Sequence, residues 1–134
     1  HHRHSHYLIL NGDLRGFDPD EIAVIALIAR YHRRGTPKKT HEEYAQLAPP
    51  LRPAVRALAS ILRLAESLDR SHAQLVSAVE LAGGRSGAVV RIRAHGDAEL
   101  EVWAANRTIE PFAELLGKPV RVETSPTDLS LPTA

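Results

Sequence analysis

The apolar positions of this chain recur at helical spacing through the first half and change period in the second. Tyr7 to Leu10 closes a short helix that ends in the turn Asn11-Gly12-Asp13, and Gly16 allows a further bend. Asp18-Pro19-Asp20-Glu21 opens the next helix, with Asp18 as N-cap, Pro19 in the first turn and Glu21 as capping-box partner. The helix predicted over Ile22 to Arg34 is apolar nearly all round, through Ile22, Val24, Ile25, Leu27 and Ile28, as expected at the buried centre of a bundle. Gly35 suits its C-cap, and His32, Arg33, Arg34, Lys38 and Lys39 gather at the negative end of its dipole. Thr40 with Glu43 reads as a second capping box, opening a short helix that stops before Pro49-Pro50.

Leu51 to Arg70 has the clearest amphipathic pattern. Leu51, Val55, Leu58, Ile61, Leu62, Ala65 and Leu68 form one stripe, and Arg52, Arg56, Ser60, Arg63, Ser67 and Arg70 form the opposite face, with Glu66 its only acid. Beyond His72 the period shortens. Leu75 to Leu81 and Ala88 to Ala94 read as strands joined by a glycine-rich hairpin loop, and Glu99 to Trp103 as a third strand. Thr108 then caps a helix through Leu116, which carries Pro111 in its first turn and ends at Gly117 before a last strand, Val120 to Glu123. The expected fold class is α+β: a helical part over residues 1–72, a small β-β-β-α-β domain over 73–124 and a Ser/Pro/Thr-rich tail over 125–134.

Composition narrows the chemistry. The 134 residues contain no cysteine, which excludes disulfides and thiolate metal sites and fits a reducing compartment such as the cytoplasm. Lys and Arg number 17 against 16 Asp and Glu, so no bulk basic excess speaks for nucleic acid. That near-neutrality is an average: 11 basic against 8 acidic residues lie up to His72, and 6 against 8 beyond it. No apolar run approaches the roughly 20 residues of a membrane span. The chain begins neither with Met nor with an export signal, so its start reads as cut from something longer.

Four of the eight histidines, His1, His2, His4 and His6, crowd the first six positions. On a helix, His1 with His4 and His2 with His6 sit at spacings that let two imidazoles face one ligand; a tag remnant is the other reading. Asp69 continues the apolar stripe of its helix, and a carboxylate facing the core needs a partner. It is either a ligand or His anchor, or one half of a bond to a buried Arg or His such as His32. The arginine stripe and the loop from Arg33 to Lys39 offer guanidinium forks that match phosphate oxygens, against the alternative of plain solvation. Phosphate-loop, dinucleotide, nucleophile-elbow and HExxH motifs are all missing.

Taken in order, His1-His2-Arg3-His4-Ser5, Ala29-Arg30-Tyr31-His32-Arg33 and Leu68-Asp69-Arg70-Ser71-His72 resemble the C-terminal region of the Ppx/GppA phosphatases, the exopolyphosphatase and guanosine pentaphosphate phosphohydrolase family. The resemblance implies an HD-like all-helical bundle, truncated at its N-terminus, followed by the small α+β domain. It places Asp69 at the position of a vestigial HD-type ligand. It also implies that the catalytic carboxylate, the phosphate loops and Mg²⁺ belong to actin-like domains outside this chain, so that no catalytic residue and no metal are expected here. A bundle lacking its first helix would expose apolar surface around Ile22 to Ile28, unless the chain dimerises.

The function expected is therefore a non-catalytic portion of an exopolyphosphatase, contributing binding of polyphosphate or another phosphate polyanion together with homodimerisation, without specific nucleic-acid or membrane contact. The residues expected to hold the polyanion are His1, His2, His4, His32, Arg33, Arg34, Lys38, Lys39, Arg52, Arg56 and Arg63. Two alternatives stand beside it: a metal-dependent HD-type phosphohydrolase using the N-terminal histidines and Asp69, and a purely structural dimerisation module.

Overall fold

The computed structural model describes residues 2–33 and 35–125. The helices are α1 (His2–Asn11), α2 (Pro19–Tyr31), α3 (Glu42–Gln46), α4 (Arg52–Ser67), α5 (Glu99–Arg107) and α6 (Glu110–Leu116), and the strands are β1 (Val76–Gly84), β2 (Gly87–Ala94) and β3 (Val120–Thr124). The fold is α+β. Among the described residues no helix is long and apolar enough to cross a membrane.

Local signals set several element ends. Asp18 accepts from the Glu21 amide at 2.8 Å and Glu21 reaches back to the Asp18 amide, closing the capping box at the start of α2. α1 stops at Asn11, whose side chain donates to the Tyr7 carbonyl. Gly117 ends α6 with a left-handed φ of 71°, a conformation that costs glycine little.

Other ends differ from expectation. α2 stops at Tyr31: the Ala29 carbonyl, which the Arg33 amide would need to extend the helix, lies 2.6 Å from Nδ1 of His32, and Arg63 of α4 takes the Tyr31 and His32 carbonyls that follow. Gly35 still adopts a left-handed φ of 70°, but in the loop beyond. No side chain caps α3: His41 holds the N-cap position, and Glu43 pairs instead with Arg30 at 2.8 Å. Thr108 does not cap α6 either; its hydroxyl donates back to Ala104 and Ala105.

The largest correction concerns Glu99 to Trp103, which is the start of α5 and not a strand. The order after α4 is β-β-α-α-β. Glu99, Leu100 and Glu101 are good helix formers, the Asp97 carboxylate accepts from the Glu99 amide, and Ala98, Glu101, Ala105 and Ile109 are buried at helical spacing. A buried glutamate in that stripe mimics the polar half of a strand's alternation.

β1 pairs antiparallel with β2, and β2 pairs parallel with β3 through the α5–α6 crossover, giving the order β1-β2-β3. Leu64 of α4 and Leu68 just past its end join Val90, Ile92, Ala105, Ile109 and Val122 in one core. Val55 and Ala59, earlier on the same helix, join Leu27, Tyr31, Tyr44 and Leu47 in the other. α4 therefore serves both halves of the chain.

To do so α4 turns an unexpected face inward. Leu58, Ile61, Leu62 and Ala65 of the predicted apolar stripe face solvent, while Ser60 and Ser67 of the polar face are buried. Small residues let α4 approach its neighbours closely, and both hydroxyls return a hydrogen bond to their own helix, Ser60 to Ala57 and Ser67 to Arg63. α4 ends at Ser67, before the stripe reaches Asp69. Asp69 is exposed, accepts from the Gln74 amide and lies 3.8 Å from His72; it does not face the core. α2 is not buried all round: Ala26, Leu27 and Tyr31 are inside, and Ile22 to Ile25 and Ile28 are half-covered.

Candidate anion-binding groove

Between the loop after α2, the start of α4 and α6 lies a groove of about 500 Å³. Lys39, Arg52, Arg56 and Arg63 line it, and Glu114 of α6 stands among its walls. The three arginines project from α4 at helical spacing, so one face delivers all of them.

Each guanidinium is fixed by neutral acceptors. Arg52 donates Nη2 to the Ala45 carbonyl at 2.7 Å. Arg56 donates Nε to the Tyr44 hydroxyl at 3.1 Å and Nη2 to the Pro37 carbonyl at 2.8 Å. Arg63 donates to the carbonyls of Tyr31, His32 and Gly35. Tyr44 lies within cation–π range of both Arg52 and Arg56, at 5.8 Å. Among the described residues none of the three is ion-paired, so the positive charge of each stays uncompensated by a carboxylate within bonding reach. Desolvation pulls the Arg63 guanidinium below its ordinary value, yet arginine remains a cation in any protein. The Nε of Arg52 is buried without an acceptor.

Held in place by carbonyls, these side chains lose little further freedom on meeting an anion, and the Nη1 group of each takes no part in the bonds just described. Preorganised guanidinium donors beside an apolar wall (Pro37, Pro53, Pro111 and Leu115) suit phosphate oxygens.

Of the eleven residues expected to hold a polyanion, four meet in this groove: Lys39, Arg52, Arg56 and Arg63. His32 and Arg33 share the carboxylate of Glu66, at 3.2 and 3.1 Å, which offsets the charge of Arg33. Lys38 is exposed outside the groove's lining, and His4 is exposed on α1. His1, Arg34 and the side chain of His2 lie outside the described residues. Asp69 sits at the far end of α4, and among the described residues no three His, Asp or Glu side chains gather as a metal site.

Nothing in the residue pattern pointed to Glu114, which α6 brings to the groove. Tyr31 and Tyr44 were equally hidden, since an aromatic at helical spacing reads as core. Both are core residues, and both also organise the groove wall: the Tyr31 hydroxyl lies 2.6 Å from Nδ1 of His41, with the two rings stacked at 5.5 Å. A wider groove of about 1140 Å³ at the end of β2 mixes Arg93 and His95 with Asp97 and Glu99, whose opposing charges do not select an anion.

A search among curated proteins found no match. The family model for Ppx/GppA phosphatase, domain III, matches residues 1–95, which takes in all of α1 to β2 and most of the groove. The chain belongs to the Ppx/GppA phosphatase family.

Proposed function

We propose that this chain is a polyanion-holding part of an exopolyphosphatase or guanosine pentaphosphate phosphohydrolase. In this reading Lys39, Arg52, Arg56 and Arg63 grip a phosphate chain, and hydrolysis runs in actin-like domains outside these residues. There, Mg²⁺ would neutralise the charge developing as water attacks a terminal phosphoryl group. Residues 1–72 are read as an HD-like helical part without a catalytic role, and the chain as a cytoplasmic homodimer.

One observation carries the reading: three arginines of a single helix face are fixed by main-chain and tyrosine oxygens, with no carboxylate pairing among the described residues. A face evolved only for solubility mixes charge signs, and its arginines pair with carboxylates or water.

The test is titration of the chain with long-chain polyphosphate at two salt concentrations. Neutralising three or four phosphates predicts that affinity falls about 20- to 50-fold between about 50 and 200 mM salt. Arg56→Ala should weaken binding clearly more than Arg33→Ala, whose charge Glu66 already offsets. Undetectable binding, or affinity indifferent to salt, would rule the reading out.

A further inference from the structure

The three arginines of the groove do not share one set of supports. The contacts of Arg52 come from α3: its Nη2 donates to the Ala45 carbonyl at 2.7 Å, and its guanidinium lies 5.8 Å from the centre of the Tyr44 ring. Arg56 takes the Tyr44 hydroxyl from α3, at 3.1 Å, and the Pro37 carbonyl from the loop before it. Arg63 needs nothing from α3, since its acceptors are the carbonyls of Tyr31, His32 and Gly35.

α3 itself is five residues long, a length at which a helix has no stability of its own, and no side chain caps its start. Tyr44 sinks its ring into the core with Leu27, Tyr31 and Val55, but a helix pinned at one ring can still rock about it. Two contacts with the end of α2 remove that freedom. Glu43 pairs with Arg30 at 2.8 Å, and the arginine side chain is only 16% exposed. His41, at the N-cap, stacks on Tyr31 with its Nδ1 2.6 Å from the hydroxyl. The Arg30 guanidinium also lies 5.4 Å from the centre of the Tyr31 ring, so Glu43, Arg30, Tyr31 and His41 form one continuous layer. Neither Arg30 nor Glu43 lines the groove.

We propose that Arg30 and Glu43 are positioning residues of the groove: their ion pair seats α3, and α3 in turn aims the guanidinium groups of Arg52 and Arg56. The consequence for binding rests on the reading of the groove as a polyanion site. The effect is selective within the groove, because loosening α3 releases Arg52 wholly and Arg56 in part, and leaves Arg63 in place. A guanidinium released in this way must be ordered again when an anion arrives, which lowers affinity for each side chain freed. An ion pair that served stability alone would not distinguish one arginine of the groove from another.

Glu43 is half-exposed, so Glu43→Gln leaves a folded chain in which only the seat of α3 is weakened. That variant should bind long-chain polyphosphate about 5- to 30-fold more weakly at low salt. The loss should persist in an Arg63→Ala background and vanish when Arg52 and Arg56 are both replaced by alanine, because nothing is then left for α3 to aim. Arg30→Glu should weaken binding likewise, and adding Glu43→Arg should recover most of it. A second readout needs no ligand: in Glu43→Gln the Arg56 Nε proton, which is donated to Tyr44, should exchange with solvent faster, while the Arg63 Nε proton, donated to His32, keeps its wild-type rate. Faster Arg56 exchange in a chain that fails to bind polyphosphate would overturn the reading of the groove and leave the positioning standing. Unchanged Arg56 exchange, or a loss of affinity as large without Arg52 and Arg56 as with them, overturns the proposal.

Discussion

The hydroxyls of Ser67 and Thr108 share a 2.9 Å hydrogen bond that ties the end of α4 to the junction of α5 and α6. Ser67 is only 1% exposed, so the bond lies where the helical part meets the sheet. With one proton each, whichever hydroxyl donates across the junction gives up the bond to its own helix, and the other keeps its own, to Arg63 or to Ala104. Ser67→Ala should destabilise by about 1 kcal/mol in chemical denaturation. A double-mutant cycle with Thr108→Val should show coupling of about 0.5 kcal/mol or more, since the residues touch. Ser67→Leu should cost clearly more, because the site has no room for the added carbons.

Glu101 places a carboxylate in the same core, 1% exposed, with one oxygen accepting from the Ser71 amide at 2.7 Å. Desolvation pushes its pKa up, but the hydrogen bonds from Ser71 outweigh this and hold it below the ordinary glutamate value. A folded pKa below the unfolded one contributes stability that is present above the unfolded value, about 4.3, and is lost as pH falls through the folded value. Unfolding free energies measured from pH 7 down to pH 3 should decline in acid, and Glu101→Gln should flatten that limb. Unchanged slopes in the variant would show that other carboxylates govern the acid limb.

His6 is the buried imidazole of α1, and burial, followed by the charge of Arg30, lowers its pKa against the opposing pull of Glu43. Its contribution is therefore present above about pH 6.5 and lost as pH falls below that value. The α1 end should loosen first on mild acidification, seen as faster amide exchange in Tyr7 to Leu10 at pH 5.5 than at pH 7.5 after correction for intrinsic rates. His6→Leu should remove that difference.

Two glycines should respond differently to alanine. At Gly117 the φ of 71° is the only obstacle, since a Cβ there would meet nothing within 4 Å; a cost of about 1 kcal/mol is expected. At Gly83 the φ is 138° and a Cβ would sit 2.5 Å from the Gly87 carbonyl oxygen and 2.6 Å from the Ala88 Cα, both backbone. Gly83→Ala should cost well over twice as much as Gly117→Ala, measured by thermal unfolding, because the hairpin cannot shift without breaking β1 from β2.

By itself the sequence determined what depends on near neighbours. Asp18, Pro19 and Glu21 start α2, Gly117 stops α6, and the β1–β2 hairpin forms around the glycine-rich turn, because caps and turns are settled within a few residues. It also carried the α+β class and the four groove cations among a longer set of candidates. Only the tertiary structure decided which face of α4 goes inside. Periodicity finds a stripe, but Arg56 and Arg63 reach carbonyls 19 and 28 or more residues away, and those acceptors, with small residues permitting close approach, outweigh exposure of Leu58, Ile61 and Leu62. The same long-range choice made Glu99 to Trp103 a helix, since a buried Glu101 is tolerable only where the Ser71 amide waits for it.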